Sequence, residues 1–399
     1  MTVFERLTRR ELAMVGREYL LAGHLIDRAG MPQLIAEGGL ELMRDVAIEE
    51  WMGASPVYTR RTQRTLGFEG NDVATIFRGI QVDIGAPHRF MDFRYKVDDA
   101  NHGEFWLASC GALMDVEPMG EEFVTAMCHH IEDPTFDATA AAVNPRARMR
   151  PLHRPPRTPA DRHPHCHWTV EISDDADPLP EPEAAVRVAK SRAAAIPIAY
   201  AAEPTGDFDP EFALEYLPRS VLAAALGEVC LQGHLLVHSF MNAVEDRLGA
   251  HVTRQIAGKQ LIGVGGLTSW RLAGALDVAG IGLDGVWRVL ELHPAFLPRE
   301  YVALEVERQP DALTVSIGAC PALEEVGGRS WAAVMAAFPG LADKAMATIV
   351  QGADPRARCE RTGRLEWEVT LDPAGEPAPQ PDEVLLTRFS TGADFALER

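Results

Sequence analysis

One spacing organises this chain: residues recur 210 positions apart. Leu7, Arg9, Leu12, Glu18, Leu21, Gly23, His24 and Leu25 return as Leu217, Arg219, Leu222, Glu228, Leu231, Gly233, His234 and Leu235. Phe77-Arg78 pairs with Trp287-Arg288, Cys110 with Cys320, and Pro145-Arg146-Ala147-Arg148 with Pro355-Arg356-Ala357-Arg358. Near the end of each copy the spacing shortens to 199, where His167-Trp168-Thr169-Val170-Glu171 faces Glu366-Trp367-Glu368-Val369-Thr370. The first copy therefore carries about eleven extra residues between Arg150 and Cys166. A sustained match at one spacing marks an internal duplication, and the unit it repeats must be able to fold twice. Residues 1–172 form the first copy, expected to bind ligand and metal. Residues 209–399 form the second, expected to be a degenerate structural half. The acidic, proline-rich stretch 173–208 between them has linker chemistry.

The element order predicts an α+β fold, a helices-plus-antiparallel-sheet domain present twice. Apolar residues near helical spacing mark helices over 10–28 and 32–51, with a counterpart over 219–248. Alternating runs at 90–97 and 104–113 read as a strand pair, repeated at 301–307 and 312–320. A helix follows at 120–131, matched at 330–338, and strands close each copy around 147–152 and 167–172, then 357–361 and 365–371. Helices followed by antiparallel strands place both copies in the α+β class, and two such units are expected to pack about a pseudo-twofold. The run Gly263-Val264-Gly265-Gly266 lacks the spacing of a dinucleotide fingerprint.

The two copies differ most where the first is rich in metal-ligand types. His129, His130, His153, His163, His165 and His167 crowd into one window framed by Cys128 and Cys166. In the second copy Phe338, Pro339 and Gly340 replace Cys128, His129 and His130, and Arg364-Leu365-Glu366 stands where His165-Cys166-His167 stood. Thiolate and imidazole are the usual zinc ligands, four in a closed site or three beside a water in a catalytic one. Cys128, His153, His165 and Cys166 are the expected zinc set, with His163 as a substitute. The other reading is a solvated, histidine-rich loop with two buried cysteines. Glu132 and His130, beside this window, are the candidate catalytic groups, because a carboxylate next to a zinc-bound water can act as general base. Arg150, Arg154 and Arg157 belong to the first copy and are candidates to clamp an anionic substrate through guanidinium forks. His24 and Trp106 complete the candidate substrate-binding residues, in a pocket expected between the N-terminal helices and the sheet beside Phe93 and Phe105.

With Cys128 opening the pattern and Cys166-His167-Trp168 closing it, the first copy resembles the vinyl-4-reductase domain superfamily, including sensor domains of phenol-responsive activators. It is also similar to amino-thiazoline-carboxylate hydrolase-like proteins. Arg150 and His153 stand where that pattern has its glutamate and middle cysteine. The resemblance covers about 90 residues and implies an α+β ligand-binding fold with zinc near a small, mostly apolar pocket.

Composition narrows the partners. A net charge of -20, from 38 basic and 58 acidic residues, opposes polyanions, so nucleic acid and anionic membranes are not expected. No charge-free apolar run long enough to span a bilayer stands out. The charged N-terminal residues lack the apolar core of a secretory signal. Six cysteines in 399 residues are not a disulfide framework. A cytoplasmic location is expected, with a small molecule as partner and a homodimer as an open option. The expected function is a zinc-dependent enzyme acting by hydrolysis or related carbonyl chemistry on a small, largely apolar, carboxylate-bearing metabolite. The alternative is a small-molecule binding or sensor module with structural zinc.

Overall fold

A computed structural model describes residues 3–388. The first half opens on a long helix, α1 (Arg9–Leu66), followed by α2 (Val73–Ile80), the strands β1 (Met91–Val97) and β2 (His102–Cys110), and α3 (Gly111–Val116). Then α4 (Glu121–Thr125) runs through a π-helical turn, Ala126–Ile131, into α5 (Glu132–Ala141), and β3 (Ala147–His153) and β4 (Cys166–Ile172) close the unit. A short helix, α6 (Glu183–Val188), separates it from the second half: α7 (Arg219–Ala275), α8 (Leu283–Glu291), β5 (Leu304–Arg308), β6 (Ala312–Ile317), α9 (Trp331–Ala337), α10 (Pro339–Ala353), β7 (Ala357–Gly363), β8 (Glu366–Leu371) and α11 (Asp382–Thr387).

Both sheets have four antiparallel strands, in the orders β1-β2-β4-β3 and β5-β6-β8-β7. The fold is α+β, and its layout is compatible with a duplication. Trp168 and Trp367, 199 residues apart, are each fully buried in the last strand of their sheets. Small slips account for departures from the 210 spacing. Phe90 O accepts from Gly111 N–H, and Tyr301 O accepts from Ala322 N–H, both 211 apart. On that register Cys110 matches Pro321, so Cys320 lies one residue away from the place the sequence assigns it.

Helix boundaries also differ from the expected ones. Helix α1 runs straight past Pro32 and breaks at Gly39 (φ 76°, ψ −170°), and α7 breaks at Gly249 (φ 76°, ψ 164°). Such dihedrals are reserved for glycine, and these two lie 210 residues apart. The glycines at 263 and 266 sit inside α7, where a Cβ would strike Thr387 and Glu383 or Thr348 and Val384. They let α10 and α11 approach closely.

The halves share one core. Helix α1 packs along α7, and the buried side chains form a continuous cluster through both. The linker chemistry of 173–208 does not give a free tether: Ala185, Val188 and Ala193 are fully buried, and α6 packs on α1. Helix α7 is long and apolar enough to cross a membrane, which the sequence reading did not anticipate; its most apolar stretch is 78% buried inside the protein.

Candidate functional site

The helices and sheet of the first half, joined by Leu386 of α11, line a cavity of about 390 Å³. Its walls come from α1, the turn after α2, the inner faces of β1, β2 and β3, and the α3–α5 segment. Inward positions on the strands alternate, so Met91 and Phe93 of β1, Phe105 and Leu107 of β2 and Met149 of β3 share one face. Six of the chain's 13 methionines line the space: Met31, Met43, Met91, Met119, Met127 and Met149. Methionine is unbranched and polarizable, so a wall of this kind adapts to the shape placed against it.

The polar groups in this wall are few. His24 is 7% exposed, and neither ring nitrogen has a hydrogen-bond partner. Burial, reinforced by the Arg28 charge, lowers its pKa to about 3, so the ring is neutral. In the second half, His234 Nε2 meets Leu297 O at 2.9 Å and the ring lies 4.7 Å from that of Tyr301. Leu297 is an insertion: Ala86 and Phe296 make matching turn bonds 210 apart, whereas Pro87 and Pro298 make theirs 211 apart. The carbonyl that satisfies His234 therefore has no counterpart beside His24.

Acidic groups surround the same space. Asp83 accepts from Tyr58 Oη at 2.8 Å and Gly85 N–H at 2.7 Å, and burial pushes its pKa up to about 6. Burial also pushes Asp27 to about 6, against the opposing influence of Trp51, Glu50 and the Arg28 charge. Glu50 beside it is fully buried; no group meets its oxygens in good hydrogen-bond geometry, and burial plus the Asp27 charge drive its pKa well up. Glu132 lines the cavity from the start of α5 with Oε2 buried and unpartnered. Burial raises it to about 8, with Arg154 opposing and Asp133 assisting. Arg28 also lines the space, and its guanidinium is paired with Asp115.

The expected zinc set comes together only in part: Cys128 and Cys166 lie close enough to feel each other's charge, while His165 and His153 meet other groups. Cys128, on the π-helical turn, and Cys166, at the start of β4, are buried with Cys110 near enough to Glu132 to feel its charge. Burial raises all three thiols, Cys110 to about 12. His165 is buried too, but its Nδ1 accepts from Cys110 N–H at 3.0 Å, which fixes the proton on Nε2. His153 is paired across the sheet with His167, and the rings stand 6.1 Å apart. His167 Nε2 reaches Glu104 on the outer face, His163 Nδ1 meets Ala108 O, and His129 Nε2 meets Pro155 O. Among the described residues, no group of three or more His, Cys, Asp or Glu side chains is placed to hold a metal ion. His130 is exposed and, unlike Glu132, does not line the cavity.

The expected arginine clamp also lies outside the cavity. Arg150 is paired with Asp137 at 3.0 Å, Arg154 with Asp133, and Arg157 forks onto Glu117 with two bonds of 2.8 Å. Arg154 belongs to the scaffold. It lies over Trp168 while bound to Asp133, as Arg361 lies over Trp367 while bound to Asp343. Trp106 points away from the cavity, because strand alternation sends it to the outer face beside His167. Of the expected ligand contacts, His24, Phe93 and Phe105 line the space.

Asp27, Asp83, Tyr58 and the methionine wall were not among the expected residues. Their signal sits in the 210 spacing: Asp27 faces Val237, Asp83 faces His293 and Glu132 faces Ala342. Comparison with protein-family models, curated proteins and solved structures returns no match for this chain.

Proposed function

We propose that this protein binds a small, largely apolar molecule in the cavity of its first half. The observation that carries this reading is the methionine- and phenylalanine-walled space of about 390 Å³. That is the size and lining of a small-molecule site, apolar walls with a few fixed polar groups. An apolar cavity of this size lowers stability unless something fills it. The unpartnered His24 supports the reading further. A buried polar side chain without a partner is costly, and its second-half counterpart is satisfied by Leu297.

The reading favours the binding alternative over zinc-dependent hydrolysis, because the expected zinc donors and the arginine clamp do not meet in this space. The test is a titration with N-phenyl-1-naphthylamine, a neutral dye that brightens when it leaves water. Saturable binding at one site per chain is expected. A linear, non-saturating response would remove the proposal.

A further inference from the structure

We infer that the ligand of this cavity is an amine: an apolar body whose nitrogen is received by Glu132, with His24 as a second polar contact. The inference rests on the binding role proposed above and assigns its ligand class.

The charge inventory of the wall leads there. Three carboxyl groups line the cavity, those of Asp27, Asp83 and Glu132, and Glu50 stands behind Asp27. One guanidinium lines it, Arg28, and that cation is already matched by Asp115. The carboxyl of Asp83 is partly satisfied by Tyr58 and Gly85. Glu132 Oε2 has no partner, nor has either nitrogen of His24. The open positions are therefore acceptors on Glu132 and on the neutral imidazole, plus one imidazole N–H.

A ligand carboxylate entering here would face three carboxyl groups and no unmatched cation, with only the His24 N–H and the Glu132 proton to meet it, so it would lose its hydration without gaining an opposite charge. An alcohol can satisfy His24 but gains no charge. An amine gains a charge-assisted hydrogen bond to Glu132, which burial keeps protonated before binding: an ammonium displaces that proton to solvent, or the neutral amine takes it up, and both routes end in an ammonium–carboxylate pair at low dielectric, where such a bond is strong. The imidazole can accept a further N–H. The second half supports the assignment by contrast. Ala342, Val237 and His293 stand where Glu132, Asp27 and Asp83 stand in the first half, so the acidic lining accompanies the cavity.

The experiment compares three probes of equal length on the full chain at neutral pH. Octylamine, 1-octanol and octanoic acid each compete with bound N-phenyl-1-naphthylamine, and the panel is repeated with Glu132→Gln. Octylamine is expected to bind at least about tenfold more tightly than octanol, with octanoate weakest. Glu132→Gln is expected to bring octylamine to the octanol level while octanol changes little. If octylamine binds no better than octanol, the amine assignment is overturned while the cavity reading stands. If octylamine keeps its advantage in Glu132→Gln, Glu132 is not its receptor and the assignment likewise falls. If the dye itself does not bind saturably, the binding reading fails first. The wild-type panel decides the ligand class even if the variant is unstable.

Discussion

Arg61 of the first half closes on Glu228 of the second as a buried fork, with Nε to Oε2 at 3.0 Å and Nη2 to Oε1 at 2.7 Å. The pair has a counterpart: Arg271 closes on Glu18, and both partners are displaced by 210 residues. Each arginine thus reaches across to the other half's glutamate, an arrangement compatible with a pseudo-twofold between α1 and α7. This explains why Glu18 and Glu228 recur in the sequence. Arg61 also donates to Ala194 O and Ile196 O, so it ties the connecting segment to the same joint.

The two forks are not equal in burial. Arg61 and Glu228 are 8% and 3% exposed at the side chain, against 21% and 16% for Arg271 and Glu18. Removing one partner of a buried pair leaves an uncompensated charge, so Arg61→Ala is expected to cost about 3–5 kcal/mol. Arg271→Ala is expected to cost about 1 kcal/mol, since its partner keeps access to water. Urea unfolding of both variants checks the order. Equal losses would show that the two joints do not differ as their burial demands.

Glu132 gives stability a pH dependence of known sign. Its folded-state pKa, about 8, lies above the ordinary 4.5, so the folded chain keeps a proton that the unfolded chain releases between those values. Stability from this group is full below 4.5 and is lost as pH rises toward 8, at up to about 1.4 kcal/mol per pH unit. His24 acts in the other direction. Its folded value of about 3 lies below 6.5, so its contribution is lost as pH falls below 6.5. The Glu132→Gln protein keeps the His24 dependence and drops that of Glu132. Its stability relative to the parent is expected to rise steadily between about pH 5 and pH 8 in urea titrations. A flat difference would mean that Glu132 is ionised and paired in the folded protein.

His165 and His153 separate a structural histidine from a surface one. His165→Ala leaves the buried Cys110 N–H without its acceptor, at an expected cost of about 1–3 kcal/mol. His153→Ala is expected to change stability by no more than about 0.5 kcal/mol. Metal content measured on the same variants bears on the zinc expectation. Loss of a stoichiometric metal in His153→Ala would show that His153 is a ligand and that the chain rearranges around an ion.

The order of helices and strands was legible because alternation and helical spacing survive in both copies, and Trp168 and Trp367 anchor the last strands alike. The break in α1 was not, because Pro32 is a stronger signal in sequence than Gly39, although the recurrence of glycine at 249 marks the true position. The histidine-rich window is spread over two faces of the sheet for a physical reason. Composition does not record direction, and in β4 successive residues face opposite sides, so Cys166 and Trp168 point inward while His167 turns out to Glu104. The pairing of the arginines was not legible for a similar reason, since Asp133, Asp137 and Glu117 lie on the helical segments packed beside them. Asp27 and Asp83 are lone acids in apolar stretches, where only comparison between the halves sets them apart, whereas Glu132 stands beside the histidine window.

Ala86 offers the most direct test of the central claim. It lines the cavity, and the second half carries Phe296 at the equivalent turn position, where a large ring is buried in the core. Ala86→Phe should therefore place a ring in the first-half space. Titrating the parent and this variant with N-phenyl-1-naphthylamine, with unfolding curves to confirm that both are folded, compares an open cavity with an obstructed one. Saturable binding by the parent and at least about a tenfold loss in the folded variant is the predicted result. Equal binding by the two would contradict the account, because the dye would then be held somewhere other than the cavity beside His24 and Glu132.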